Sequence, residues 1–361
     1  MRESFYVKLK VVAYWLLNLA GLNAYFRRNH RSKLRIFMLH GVANCAVEHE
    51  WLPLRQQLDV QDFERIVRRL SKDYHFITMD DAAKMIMGEI PLVDNAAVMS
   101  FDDGYLNNFT QALPVLRRHR VPGVFYCATG AIKSREPFWF DRLDYVLQAA
   151  SEQGVEFLLA GKRFVFESTE RQVMTDKYAE LRIHCKKSFP DDMEFTRALD
   201  ELAQDLEQKT GKSLRAVFEN DEWAAVISID DMAKYSAEDF VTIGGHTISH
   251  KRLSFSTEVE ITDELSKSKG QIEQWSDRPC LNFSYPNGAY DDVSVELVKA
   301  AGYHSAVTSD FGFNAVGDDV FTLRRLSIVV NSSESELLAR ASGLEEAITS
   351  LTSRLKHSSS R

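Results

Sequence analysis

Cysteine is sparse: Cys45, Cys127, Cys185 and Cys280 are the only four in 361 residues, and no two form a Cys-x-x-Cys pair. That spacing excludes a thiolate zinc site and a disulfide scaffold, leaving buried free thiols in a reducing, cytoplasmic compartment as the expectation. There is no excess of positive charge. The chain carries 44 basic and 52 acidic residues, net −8, which excludes a broad nucleic-acid footprint. No internal repeat is present. Nor is there a membrane-spanning run: Val11 to Arg28 is apolar but is broken by Asn18 and Asn23, and a spanning helix needs about 20 apolar residues. No small-residue cleavage site follows it, which argues against a removed signal peptide.

The composition is that of a globular chain, 45% hydrophobic and 27% charged, long enough to bury one large core or two modest ones. Before residue 36 it is basic (Lys8, Lys10, Arg27, Arg28, Arg31, Lys33, Arg35), and most of the acid lies later. Residues 1–34 therefore have two balanced readings, an amphipathic helix in peripheral contact with a membrane or a helix packed on the domain. An uncleaved anchor is a third.

Short apolar runs recur along the chain: LRIFML before His40, AAVMSF before Asp102, GVFYCAT from Gly123, FVTIGG before His246, LNFSYP from Leu281 and SAVTSD from Ser305. Helical periodicity lies between them in VQDFERIVRRLSKDY, FTQALPVLRRHRV and VSVELVKAAGY. Strand then helix, repeated, implies a parallel sheet with helices outside, and six or more units fit a (β/α) barrel better than an open sheet. Residues 151–226 break the rhythm, being polar and strongly helical, and read as an α-helical insertion within a barrel of residues 35–335. Residues 336–361 read as a helix with a frayed end.

One of those runs ends abnormally. VMSFDDGYLNNF writes a buried strand and closes it with two neighbouring aspartates, Asp102 and Asp103. Like charges side by side repel, and burying them is costly unless something positive stands near. TIGGHTISHKRLS supplies a partner: His246 and His250 follow another strand and lie four residues apart, a spacing that faces one side of a helical turn. Both motifs fall at strand C-terminal ends, where barrel active sites are built. Two imidazoles and one carboxylate make a three-ligand site for a divalent metal with a position left open for water, and the other carboxylate is free to accept a proton. Alone, Asp-Asp-Gly is commonly a turn and His-x3-His a partly buried pair. Together they define the candidate site.

SFDDGY with HTISH resembles the first two motifs of the polysaccharide deacetylases, carbohydrate esterase family 4, over about residues 35–331 apart from the insertion. The resemblance implies a distorted (β/α)7 barrel and N-deacetylation of a glycan. It also implies Asp103, His246 and His250 as ligands of a metal, usually zinc, and Asp102 as general base. FSYPNGAY is similar to the third motif, in which Tyr285, Pro286 and Asn287 would form the acetyl pocket, with the Asn287 N–H as oxyanion donor. This FxYPxG form resembles the branch acting on exopolysaccharides and surface glycans. Two departures stand out. Ser284 occupies the place where many members carry an arginine that orients the catalytic aspartate, and FTLRRLSIVVN lacks the family's late leucine-x-histidine. His40, in LHGV at the first strand end, is the candidate general acid in its stead.

Trp139 and Asp141 are candidates for lining a sugar cleft, or else simply begin a helix. Arg324 and Arg325, read as following a strand, either orient a carboxylate or form a surface pair. His30, His49, His75, His119, His184, His304 and His357 read as surface or packing residues. Four alternatives to N-deacetylation remain open: an O-deacetylase, a non-sugar amide hydrolase, a non-catalytic glycan-binding relative, and a membrane-surface assembly protein whose N-terminal helix is its point.

Overall fold

Seven parallel strands close on themselves: β1 (Arg35–Leu39), β2 (Ala96–Phe101), β3 (Gly123–Cys127), β4 (Val241–Gly245), β5 (Asn282–Ser284), β6 (Ser305–Phe311) and β7 (Leu323–Ser327). Each pairs with the next, and β1 pairs with both β2 and β7, so the barrel is closed; a two-residue strand, His75–Phe76, adds beside β2 at Ala96 and Ala97. The computed structural model describes residues 2–46, 49–189 and 191–358. The fold is the expected (β/α)7 barrel, and the six apolar runs are six of its strands. The seventh, LRRLS, has too little apolar character to announce itself, because one of its arginines turns inward.

Every residue of β2 is buried, as a strand covered on both faces requires. Its outward residues Ala97, Met99 and Phe101 pack under the Val60–Leu70 helix, against Phe63 and Val67. Phe101 stacks on Phe125 with ring centroids 4.9 Å apart. Inward, Ile36, Val98, Val124 and Val307 form a second layer with Met79, Ala82 and Ile86 of the Met79–Ile86 helix. That helix sits at the N-terminal end of the strands, where Asp80 accepts from Asn282, the first residue of β5. The opposite, C-terminal end is left for the site.

Local signals start the outer helices. Asp59 caps Val60–Leu70 by accepting from the Gln61 N–H, and Thr257 with Glu260 forms a capping box for Glu258–Ser276.

The insertion between β3 and β4 is built on the helices Trp139–Gln153, Arg171–Ser188 and Asp192–Thr210 and a hairpin pairing Phe157–Leu159 with Lys162–Phe164. They bury their own cluster, in which Leu143 and Val146 meet Phe157, Phe166, Leu181 and Leu199. The first of these helices begins N-terminal to residue 151, the boundary read from the sequence. Buried Arg142 ties it to Asp200 and Glu207 on the last.

At the other side of the barrel, Tyr14 of the Arg2–Leu19 helix packs on Ala339 and Leu344, while Val12, Trp15, Leu16 and Leu19 remain exposed. No helix among the described residues is long and apolar enough to cross a membrane.

Phe101→Ala should lower the unfolding free energy by about 3–5 kcal/mol, the usual cost of emptying a core phenylalanine. Denaturant unfolding measures it; a loss below about 1 kcal/mol would contradict the packing between barrel and helix.

Candidate active site

The ladder between β1 and β2 continues one residue past the strand, where the Asp102 N–H donates to the Leu39 carbonyl at 3.0 Å. The chain then turns through left-handed backbone at Asp103 (φ 74°) and Gly104 (φ 78°). The turn aims both carboxylates into the barrel mouth. On β4, Gly244 and Gly245 are required by space, since an added Cβ would stand 2.4 Å from the Tyr126 ring and 2.4 Å from the Tyr303 hydroxyl. The chain can then pass close enough for the His246 N–H to bond the Cys127 carbonyl.

Residues 246–250 are not the helical turn read from their spacing. They form an irregular loop with Thr247 and His250 at φ 65° and 56°. Glu264, from the Glu258–Ser276 helix, holds the loop by accepting from the Ile248 and Ser249 N–H groups and the Ser249 hydroxyl. Strain of this kind persists only where surrounding contacts over-determine it.

The loop brings the Nε2 atoms of His246 and His250 to 3.5 and 3.2 Å from the same Asp103 Oδ1. His246 Nδ1 lies 2.7 Å from the Ser284 carbonyl, so it carries the proton and Nε2 presents a lone pair. Asp103 Oδ1 is buried without a hydrogen-bond partner, and one oxygen and two ring nitrogens lie within 4.8 Å of one another. Such an orphaned acceptor facing two imidazoles fits a divalent cation, and the donor set suits zinc. Burial lowers the His250 pKa against the pull of Asp103, which favours the neutral, ligating form. Burial by itself would raise the Asp103 carboxyl; Arg55, at 3.2 Å from Oδ2, and the two histidines hold it well below the usual carboxylate range.

Arg325 is the residue that sequence reasoning placed wrongly. It lies within β7 rather than after it, and its side chain is buried inside the barrel. Its two terminal nitrogens donate to Asp102 Oδ1 and Oδ2 at 2.8 and 2.7 Å, its Nε donates to the Thr308 carbonyl, and the Ser284 hydroxyl lies at 3.2 Å. Neighbouring Arg324 points outward. Burial raises the Asp102 carboxyl, but Arg325 outweighs it and keeps the group ionised. The orienting arginine missing at position 284 is thus supplied from another strand, and Ser284 bridges both partners.

His40 stands at the end of β1 in a small pocket with Arg55, Gln57 and Tyr105. Burial pushes its pKa down to about 4, although Asp103 opposes the shift, so a resident imidazolium is disfavoured there. Tyr285 is fully buried against Phe283 and Tyr290, and Pro286 is buried too. Of that trio only Asn287 (φ 55°) lines the cleft.

The cleft, about 330 Å³, runs from His250 and Asn287 to the helical insertion. Trp139 and Asp141 both line it. The Tyr105 hydroxyl donates to Asp141 at 2.8 Å and receives from Arg55 at 2.6 Å. Arg55 carried no motif signal, and Tyr105, the last residue of SFDDGY, carried none of its pairing with Arg55 and Asp141, since only the fold brings them together.

A parallel barrel whose strand ends gather two imidazoles, two carboxylates and a cleft defines a hydrolase. The sequence model of the family described as polysaccharide deacetylase matches residues 90–178 and 188–306, more than half of the chain, and the chain belongs to that family. YxkH of Bacillus subtilis (strain 168), named as a polysaccharide deacetylase, is 24% identical over 106 residues, 29% of this chain and 38% of that protein's length. Among solved structures, the deacetylase PplD of Streptococcus pyogenes in complex with acetate is similar over 86% of this chain and 98% of its own, with 14% identity and a TM-score of 0.55. IcaB of Ammonifex degensii is similar over 86% and 97%, with 16% identity and a TM-score of 0.54. At such identities the likeness is one of fold.

Arg325→Ala should destabilise the protein by about 3–5 kcal/mol, because Asp102 is left buried and unpaired. Arg325→Lys keeps the charge but loses the fork and should recover only part; denaturant midpoints compare the two. Asp144 lines the same cleft, and burial pushes its pKa up to about 7. A carboxyl raised above its unfolded value of about 3.9 contributes stability below that value and loses it as pH rises toward 7. The decline of melting temperature between pH 4 and 7 should therefore be shallower in Asp144→Asn; an identical slope would contradict this.

Proposed function

We propose that this protein is a metal-dependent deacetylase removing N-acetyl groups from sugars of a surface polysaccharide or its precursor. The observation that carries the reading is the buried Asp103–His246–His250 cluster beside an aspartate, Asp102, locked by Arg325. Family membership and the FxYPxG loop support the glycan and the exopolysaccharide branch.

When bound, a divalent cation, with zinc best suited to these ligands, would supply Lewis acidity toward the acetyl carbonyl and lower the pKa of water. Asp103, His246 and His250 would hold it. Asp102, ionised and fixed in plane by Arg325, takes the proton from the attacking water. The Asn287 N–H, on a loop turned by left-handed backbone at the cleft, is the donor for the developing oxyanion. His40, neutral at rest, would accept the proton that Asp102 has taken from the water as negative charge develops nearby, and pass it to the leaving amine. The amide C–N bond breaks, and acetate and the free amine are the products.

The intact Asp102–Arg325 pair weighs against a non-catalytic relative, since a binding module has no need of a buried, oriented carboxylate. For residues 1–34, the exposed Val12, Trp15, Leu16 and Leu19 support peripheral contact with a membrane, and the free cysteines fit a cytoplasmic setting.

Purified protein should bind one metal and release acetate from N-acetyl sugars in a chelator-sensitive way. His250→Ala should lose both. Asp102→Asn should keep the metal while the rate falls about 10²–10⁴-fold. Acetate release indifferent to chelator would overturn the assignment, and faster release from O-acetyl than from N-acetyl sugars would redirect it to an ester.

A further inference from the structure

The net charge of the chain is −8, yet the cleft is lined by Arg55, Arg182, Lys186 and Arg252. A cleft whose charge opposes that of its protein concentrates ligands of the opposite sign. Only two acids share the lining, Asp141 and Asp144. Both are more than nine-tenths buried and hydrogen-bonded, Asp141 by the Tyr105 hydroxyl and Asp144 by the Leu54 N–H and Gln148. Burial pushes their pKa values up to about 8 and about 7, so near neutrality they offset only part of the positive charge.

Arg55 is engaged by Asp103 and Tyr105. Arg182 is differently placed. Among the described residues no carboxylate lies within ion-pair distance of it, and its guanidinium instead sits 5.9 Å from the ring centres of both Trp139 and Tyr178. Stacking on rings fixes the plane of a guanidinium and leaves its N–H edge for a planar, two-oxygen acceptor. Arg252 also lies over rings, Phe195 and Phe255, at 5.6 and 4.4 Å. Arg182 and Lys186 are one turn apart on the Arg171–Ser188 helix, so they face the cleft together.

A continuous aromatic wall connects this basic end to the metal end. The His250 ring lies 5.4 Å from Phe140, Phe140 lies 5.4 Å from Trp139, and Trp139 lies 6.0 Å from Phe195. Such faces suit stacked sugar rings, but a neutral glycan gives the Arg182 guanidinium beyond them nothing to pair with. Arg182 and Lys186 also fall at residues 179–187, between the two stretches that the family model matches.

We infer that the far end of the cleft is a subsite for an anionic group, a carboxylate or a phosphate, borne by the glycan next to the sugar that is deacetylated, with Arg182 as its principal ligand. The inference rests on the deacetylase reading for the neighbouring sugar. A carboxylate would come from a uronic acid in the polymer, and a phosphate from a precursor still carrying its phosphate linkage.

Three probes separate the sources: an oligomer alternating N-acetylglucosamine with glucuronate, N-acetylglucosamine 1-phosphate, and a neutral N-acetylglucosamine oligomer. Affinities are measured by calorimetry on full-length, zinc-supplemented Asp102→Asn protein, and acetate release on the wild type. At least one anionic probe should bind about tenfold tighter than the neutral one at low salt, the worth of one charge-assisted contact. Added salt should erode that advantage. Arg182→Gln should bring the ratio of anionic to neutral affinity toward one, and Arg182→Glu should invert it. The ratio is its own control, because a misfolded variant loses both affinities. Equal affinity for all three probes, no measurable binding of either anionic probe, or a ratio untouched by Arg182→Gln overturns the inference. Acetate released from the neutral oligomer together with any of those results would leave the deacetylase standing and remove the subsite. An Arg182-dependent anionic preference with no acetate from any probe would retain the subsite and remove the deacetylase.

Discussion

Two adjacent carboxylates are buried at the end of β2, and the rest of the site follows from the need to neutralise them separately. Asp102 receives both arms of Arg325 from inside the barrel. Asp103 keeps one oxygen for Arg55 and turns the other, without a hydrogen-bond partner, toward two imidazoles. An uncompensated charge at either position would cost several kcal/mol, so the two aspartates cannot exchange roles without rebuilding two sets of partners. One is held by an arginine as a fixed carboxylate, and the other turns a free oxygen toward two imidazoles.

The fold is arranged around that division. Closing the sheet brings β7 against β1 and sets Arg325 beneath Asp102, across more than two hundred residues of chain. The Gly244–Gly245 passage lets the histidine loop approach β3, and Glu264 and the Ser284 carbonyl fix its path and its tautomer. The helical insertion then walls one side of the cleft, with its own core and its own buried Arg142 ties. Barrel and insertion divide the work: the first holds the reacting groups, and the second shapes what reaches them.

Much of this was legible beforehand. Buried parallel strands are written as continuous apolar runs, and six of the seven were readable for that reason. The Asp-Asp and His-x3-His motifs were readable because catalytic groups sit at strand ends, where local sequence declares them. LRRLS was not readable as a strand, since an inward arginine looks like a surface one until its carboxylate partner is known. The four-residue spacing of the histidines suggested a helical turn, but left-handed backbone at Thr247 and His250 achieves the same convergence. Arg55, Tyr105 and Asp141 form one hydrogen-bonded chain from three separate segments, and no short pattern announces such a set.

By itself, then, the sequence determined the barrel class and pointed to the trio of Asp103, His246 and His250 and the carboxylate beside it, because periodicity and short motifs are properties of neighbouring residues. Only the tertiary structure decided which cation holds Asp102, that Asn287 reaches the cleft while Tyr285 does not, and that four basic side chains line the cleft of a chain that is acidic as a whole. Those are contacts between segments far apart in the chain, and their energies depend on burial and distance, which closure of the barrel creates.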